Sequence, residues 1–324
     1  MRKTFHWGIL GTGSIASKFA TDLGRLPDAV CYAVGSRSME SAQRFGNRFN
    51  TAKNYDSYEG LMADPEVDAI YIATPHPFHK ENTLACLAAG KPVLCEKPFA
   101  INSADSIEMV QRAREHKVFL MEAMWTRFLP VQMKVREWLA EGMIGEPLSL
   151  VCDFGFRAGF NPESRLFDPA LGGGALLDVG IYTLSYASMV FGSQPERIQA
   201  DATLGETGVD EQNAELFTYA DGAQAQLTSA LRVTTEQRVR ISGTEGSITV
   251  PDFWHATEAT LVKADGTTEK ATGESGYHFE AAEVMQCVRN GRLESEEMPL
   301  DETIDIMRTM DAVRVLIGLK YPME

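Results

Sequence analysis

A chain of 324 residues exceeds what one hydrophobic core ordinarily organises, so two domains are expected, and its 44% hydrophobic content can fill both. Acidic residues outnumber basic ones by 45 to 30, a formal charge of -15 that argues against nucleic acid as a partner and favours a small soluble ligand. Cys31, Cys86, Cys95, Cys152 and Cys287 are odd in number and form no CxxC pair, which points away from disulfides and zinc and towards buried thiols in a reducing, cytoplasmic setting.

The apolar run at 5–10 is too short for a secretory leader and leads directly into a glycine turn, so it reads as a first strand. Up to about residue 122, short apolar runs alternate with amphipathic stretches of helix length. Strands are predicted at 5–10, 30–35, 69–73, 92–95 and 118–122, and helices at 15–23, 39–49, 81–89 and 104–116. This α/β rhythm predicts a doubly wound parallel sheet, a Rossmann domain over residues 1–123. Beyond it come a helix near 131–141, a strand near 148–156 and a helix at 176–190. The apolar stretch 174–191 carries Asp178 and several hydroxyls, so a core helix is expected there and no membrane span. Strands at 216–219, 223–231, 238–243 and 247–250 predict a meander in one open, mainly antiparallel sheet, and helices at 279–289 and 301–317 close the chain. Residues 124–324 are therefore expected to form an α+β domain whose free sheet face needs solvent or a partner.

Gly11-Thr12-Gly13-Ser14-Ile15-Ala16 follows the first strand and opens the first helix, the setting in which such a glycine pattern binds a dinucleotide. Gly11 allows the tight turn, Gly13 lets a pyrophosphate approach the helix N-terminus, and Ala16 permits close packing of helix on strand. An NAD-specific site places an acidic residue after the second strand to hold the adenosine ribose. Ser36-Arg37-Ser38 stands there instead, a hydroxyl and a guanidinium suited to a 2'-phosphate, so NADP is the expected cofactor.

The strand at 92–95 leads into Glu96-Lys97-Pro98, which puts Lys97 at the carboxyl edge of a parallel sheet, where open α/β folds bind ligands. A lysine there can hydrogen-bond a substrate oxygen; the alternative is a plain charged turn. In Gly172-Gly173-Gly174-Ala175-Leu176-Leu177-Asp178-Val179-Gly180-Ile181-Tyr182, the glycines read as a flexible lead-in, and Asp178 and Tyr182 share one helix face. A carboxylate and a phenol on an apolar helix need polar partners once buried, and Lys97 is the candidate. A capping Asp with a core Tyr is the structural alternative. The six histidines lack metal-ligand spacing, and no metal is expected.

Together with His76-Pro77-Phe78-His79 and Met121-Glu122-Ala123-Met124-Trp125-Thr126-Arg127-Phe128, these motifs make the chain resemble, over essentially its whole length, the Gfo/Idh/MocA family of nicotinamide-dependent oxidoreductases. Within that family it is most similar to the dimeric dihydrodiol dehydrogenases and the NADP-dependent xylose dehydrogenases. The resemblance implies that Lys97, Tyr182 and Asp178 are catalytic. It places Gly11, Gly13, Ser14, Ile15, Ser36, Arg37, Thr74, His76, His79, Glu96, Lys97 and Trp125 at the cofactor, with Phe154, Trp254 and Phe279 as aromatic candidates for the substrate pocket. Many family members carry histidine where this chain has Tyr182, and a phenol titrates near about 10 unless a cation such as Lys97 lowers it. The implied reaction is hydride transfer between NADP and a carbinol or carbonyl carbon of a sugar, cyclic polyol or trans-dihydrodiol, with Tyr182 exchanging the proton. The resemblance also implies a homodimer through the free sheet face. A non-catalytic NADP(H) sensor and a reductase of sugar-derived ketones or dicarbonyls remain alternatives. Arg157, Asn161 and Arg165 are candidates for binding substrate hydroxyls or a carboxylate.

Overall fold

The computed structural model describes residues 4–192 and 194–324. The chain runs β1 (Phe5–Leu10), α1 (Ser14–Leu23), β2 (Ala29–Gly35), α2 (Met39–Phe49), β3 (Lys53–Tyr55), α3 (Tyr58–Met62), β4 (Ala69–Ile72), α4 (His79–Ala88), β5 (Val93–Glu96), α5 (Ser103–His116) and β6 (Leu120–Ala123). These strands form one parallel sheet in the order β3-β2-β1-β4-β5-β6, the doubly wound arrangement expected from the sequence. Ile9, Leu10, Ile70, Ile72, Val93, Leu94, Leu120 and Met121 are wholly buried, which is why these strands read as continuous apolar runs. Helix α1 is locked to the sheet by Phe19, which stacks on Tyr71 at 3.9 Å and meets Trp7 edge-on at 5.2 Å.

There follow α6 (Pro130–Ala140), β7 (Pro147–Gly155), a π-helical turn at Leu176–Gly180 running into α7 (Ile181–Phe191), β8 (Arg197–Leu204), β9 (Asp210–Thr218), β10 (Gln224–Ala230), β11 (Val239–Gly243), β12 (Gly246–Val250), β13 (Glu258–Lys263), β14 (Thr268–Thr272), α8 (His278–Arg289) and α9 (Leu300–Ile317). The second sheet has the order β14-β13-β12-β11-β7-β10-β9-β8. The expected meander is corrected at one point: β7 lies between β10 and β11, parallel to the first and antiparallel to the second. Two meanders, β8 to β10 and β11 to β14, therefore flank a strand that arrives earlier in the chain.

The buried face of this sheet carries Leu150, Cys152, Phe154, Leu227, Ile241, Ile248 and Leu261, each of the larger apolar side chains stabilising by about 1.5–3 kcal/mol. Across the other face runs a paired row, Lys270, Thr260, Thr249, Arg240, Val151, Gln226, Leu216 and Gln199. Residues 169–191 are long and apolar enough to cross a membrane, yet most of that stretch is buried inside the protein.

The chain divides into two compact units. The first holds the described residues up to Ala100 with Ala104–Trp125 and Gly276–Thr303; the second holds Ile101–Ser103, Thr126–Ser275 and Ile304–Glu324. The chain passes from the first unit to the second after Trp125, but not everything beyond that point stays in the second. Residues 276–303 return to the first unit, where Tyr277 N donates to Asp22 Oδ2 of α1 at 2.7 Å and Arg289 pairs with Asp28 at 2.7 Å.

Candidate active site

In the first unit the glycine turn has the shape of a dinucleotide cradle. Gly11 has φ +104°, and a Cβ there would lie 2.9 Å from the carbonyl oxygen of Ala73, so only glycine fits. A Cβ added at Gly13 would meet no protein atom within 4 Å, so the lack of a side chain keeps the ground before α1 open. Gly13 caps α1 without a side-chain hydrogen bond, leaving the N–H groups around Ser14 and Ile15 available to an anion. Ala16 is fully buried beneath them. These residues fit the pyrophosphate of a dinucleotide.

At the end of β2, Ser36 is buried and Arg37 exposed, while the Ser38 hydroxyl accepts from Ser41 N at 3.3 Å to cap α2. Of the two hydroxyls, that of Ser38 is thus committed to the helix. Beside the carboxyl end of β4, His79 is fully buried. Its Nδ1 lies 2.9 Å from Pro98 O and its Nε2 2.9 Å from Thr74 O, and burial holds its pKa below the ordinary histidine value. His79 therefore ties the turn after β4 to the Glu-Lys-Pro turn after β5. The ring of His76 lies 5.8 Å away, and Asn82 donates to Thr74 Oγ1 at 3.3 Å.

Lys97 follows β5 and precedes a cis peptide to Pro98. Its N–H donates to Glu96 Oε2 at 3.2 Å. The Glu96 carboxylate also accepts the Tyr71 hydroxyl, facing inward beneath the sheet edge. Burial, followed by the charge of Glu96, pushes both the Tyr71 phenol and the Glu280 carboxyl of α8 well above their ordinary values. Trp125 stacks on Tyr277 at 4.3 Å. Neither Glu280 nor Tyr71 stands out in the sequence, because lone polar residues within apolar patterns carry no spacing signal.

In the second unit, Asp178 lies in the π-helical turn and Tyr182 in the first turn of α7, both buried. Asp178 Oδ1 accepts from Arg165 Nη1 at 2.7 Å, so one partner of the buried carboxylate is a half-exposed guanidinium from the preceding loop. Tyr182 meets Phe154 edge-on at 5.3 Å, and Phe154 stacks on Trp254 at 5.3 Å. Trp254 is fixed by Nε1 donating to Gln237 Oε1 at 2.8 Å and by its carbonyl accepting from Thr126 at 2.8 Å. A phenol thus adjoins an aromatic wall, and Asp178, paired with Arg165, lies four residues earlier on the same helical segment. Phe154 and Trp254 belong to this group; Phe279 lies on α8 in the first unit, against His278. Asn161 Oδ1 accepts from Glu163 N at 3.0 Å within its own loop, and Arg157 is exposed. Among the described residues no group of three or more His, Cys, Asp or Glu side chains is placed to hold a metal ion.

Residues 5–124 match a family model described as the oxidoreductase family, NAD-binding Rossmann fold, and residues 132–249 match the GFO/IDH/MocA C-terminal domain. Trans-1,2-dihydrobenzene-1,2-diol dehydrogenases from Mus musculus and Xenopus laevis are 38% and 39% identical to the chain, covering 98% of it and 98% and 99% of themselves. A 3-ketoreductase from Actinomadura kijaniata, solved with NADP and TDP-benzene, is 25% identical with a TM-score of 0.84, covering 97% of this chain and 98% of its own. The aldose-aldose oxidoreductase of Caulobacter crescentus shares the fold at 24% identity and a TM-score of 0.88, over 98% of each chain. The chain belongs to the Gfo/Idh/MocA oxidoreductase family. It is an enzyme with a Rossmann domain for a nicotinamide dinucleotide.

Proposed function

We propose that the protein is an NADP-dependent oxidoreductase acting on a carbinol or carbonyl carbon of a sugar, a cyclic polyol or a trans-dihydrodiol. The observation that carries this reading is Tyr182 beside the rings of Phe154 and Trp254, with Asp178, ion-paired to Arg165, four residues before it in the chain. Apolar rings suit the C–H face of a cyclic substrate, and the polar groups suit its vicinal oxygens. The names of the dihydrodiol and aldose relatives agree with such a substrate.

The nicotinamide, when bound, supplies or accepts the hydride. Lys97 polarises the reacting oxygen, Tyr182 exchanges the hydroxyl proton, and Asp178 fixes the geometry at the phenol. Gly13, Ser14 and Ile15 bind the pyrophosphate through backbone N–H groups, and Gly11, whose own N–H donates to Gly35 O at 3.0 Å, shapes the turn beneath it. Ser36 and Arg37 bind the 2'-phosphate, and Thr74, His76, His79, Glu96 and Trp125 form or brace the nicotinamide side. A cytoplasmic location and a homodimer through the free face of the second sheet complete the reading. Exposed Val151 and Val262 among Thr249, Thr260 and Gln226 suit a mixed polar and apolar interface.

The coenzyme assignment is tested by fluorescence titration. NADPH is expected to bind at least about tenfold more tightly than NADH, and Arg37→Ala to shrink that gap by weakening NADPH alone. Equal affinities in the unaltered protein would overturn it.

A further inference from the structure

The turn that carries Asp178 is unusual in two respects: it is π-helical, and it is held from beneath by a polar chain in which none of the residues assigned above takes part. Asp210, at the start of β9, is fully buried. Its Oδ2 accepts from Leu176 N at 2.8 Å and from Asn213 Nδ2 at 2.6 Å. Asn213 Oδ1 in turn accepts from the Ser229 hydroxyl of β10 at 2.6 Å, across the register pair Ser229–Asn213. The chain touches both ends of the turn. Leu176 N is one of the backbone donors that a helix start leaves unsatisfied, and a carboxylate there also complements the helix dipole. At the other end, a Cβ added at Gly180 would lie 3.1 Å from Ser229 Oγ.

The approach to the turn is equally constrained. Gly174 has φ +115°, and a Cβ there would stand 2.2 Å from Asp210 Oδ1. Tyr321 donates to Gly173 O at 2.7 Å, and Gly174 N donates to Leu166 O at 2.9 Å, one residue from the Arg165 that pairs with Asp178. The glycines therefore serve close approach under tight hydrogen bonding, which corrects the expectation of a flexible lead-in. A π-helical turn is rare and frequent at functional sites. Here one buried carboxylate fixes its first N–H, two residues before Asp178.

We propose that Asp210 is a positioning residue for the reaction: by binding Leu176 N, with Asn213 and Ser229 behind it, it sets the π-helical turn that aims Asp178 and Tyr182 at the substrate. The inference rests on the reading of Asp178 and Tyr182 as substrate-side groups. A displacement of about 1 Å at such a group can cost on the order of a hundredfold in rate, while coenzyme binding, which involves none of these residues, stays as it was.

Steady-state kinetics on Asp210→Ala, Asp210→Asn, Ser229→Ala and Asp178→Asn, with coenzyme affinity measured in parallel, test it. Asp210→Ala is expected to lower kcat by about a hundredfold with coenzyme affinity within about threefold. Asp210→Asn, which keeps an oxygen for Leu176 N and for Asn213, is expected to restore kcat to within about fivefold of the unaltered protein. A simple loss of stability would not give this rescue with coenzyme affinity unchanged. Unchanged kcat in Asp210→Ala, with Asp178→Asn impaired, overturns the inference alone. Unchanged kcat in Asp178→Asn overturns the functional reading and the inference with it. Should Asp210→Ala not fold, Ser229→Ala decides: a loss of about threefold to tenfold in kcat at constant coenzyme affinity supports the proposal, and no change overturns it.

Discussion

Lys97→Met is expected to lower turnover by about 10²–10⁴-fold while NADPH affinity and melting temperature stay close to those of the unaltered protein. Methionine keeps the length and apolar stem of the side chain and removes only the ammonium group. The backbone at this position is held independently of that group, by Lys97 N donating to Glu96 Oε2 at 3.2 Å and by His79 against Pro98 O at 2.9 Å. The substitution therefore leaves the turn in place and deletes one interaction with the reacting oxygen. An interaction made more strongly in the transition state than in the ground state lowers kcat when lost, and a loss of 10²–10⁴ corresponds to about 3–5 kcal/mol. Initial-rate kinetics and a coenzyme titration on the same preparation check it. Undiminished turnover would remove Lys97 from the chemistry.

Glu215→Gln is expected to stabilise the protein in alkaline solution and to have little effect near pH 5. Glu215 lies on the buried face of β9, and among the described residues neither of its carboxylate oxygens has a hydrogen-bond partner. Burial, and after it the charge of Asp210, pushes its pKa up to about 8, and burial pushes that of Asp210 up to about 7. A carboxyl whose folded pKa lies above its unfolded value near about 4.3 binds its proton more tightly in the folded state. The stability it contributes is full below the unfolded value and is lost as pH rises through the folded one. Between about pH 4.5 and 8 Glu215 lowers the unfolding free energy by up to about 1.4 kcal/mol per pH unit. Glutamine has no proton to lose, so the gap between variant and unaltered protein opens with pH and reaches about 2 kcal/mol or more at pH 8, several degrees in melting temperature. Melts at pH 5 and 8.5 read it directly. Parallel pH profiles for the two proteins would contradict the assignment.

The first unit was legible because its strands are buried on both faces and its helices amphipathic. Only β3 and α3 went unseen: Lys-Asn-Tyr has no apolar signal, and its Lys53 and Tyr55 are held by Asp64 at 3.2 and 2.9 Å. In the second unit β8, β13 and β14 lie at or next to the sheet edges, and several of their less exposed positions are alanines, Ala200, Ala202, Ala259 and Ala271, which give a weak apolar signal. The first half of β9 was hidden for a more informative reason. Its inward positions are Asn213 and Glu215 behind Asp210, so the usual apolar alternation is inverted where the strand supports the π-helical turn. That turn was read as ordinary helix, since Leu176 to Gly180 has no sequence mark of an i→i+5 register beyond its glycines. Of the site, Gly11, Arg37, Lys97, Asp178 and Tyr182 could be singled out from type and spacing. The Arg165 partner of Asp178 is contributed by a loop, and the Asp210 support by a distant strand, so local pattern carries neither.

The most direct test of the central claim is to mix the purified protein with NADP and, in turn, trans-dihydrodiols, aldoses and cyclic polyols, and to follow reduced coenzyme by absorbance. Substrate-dependent formation of NADPH with at least one of these classes, abolished in Lys97→Met, is the expected result. Tight NADPH binding without turnover of any of them, in either direction, would contradict it and leave the protein a coenzyme-binding sensor.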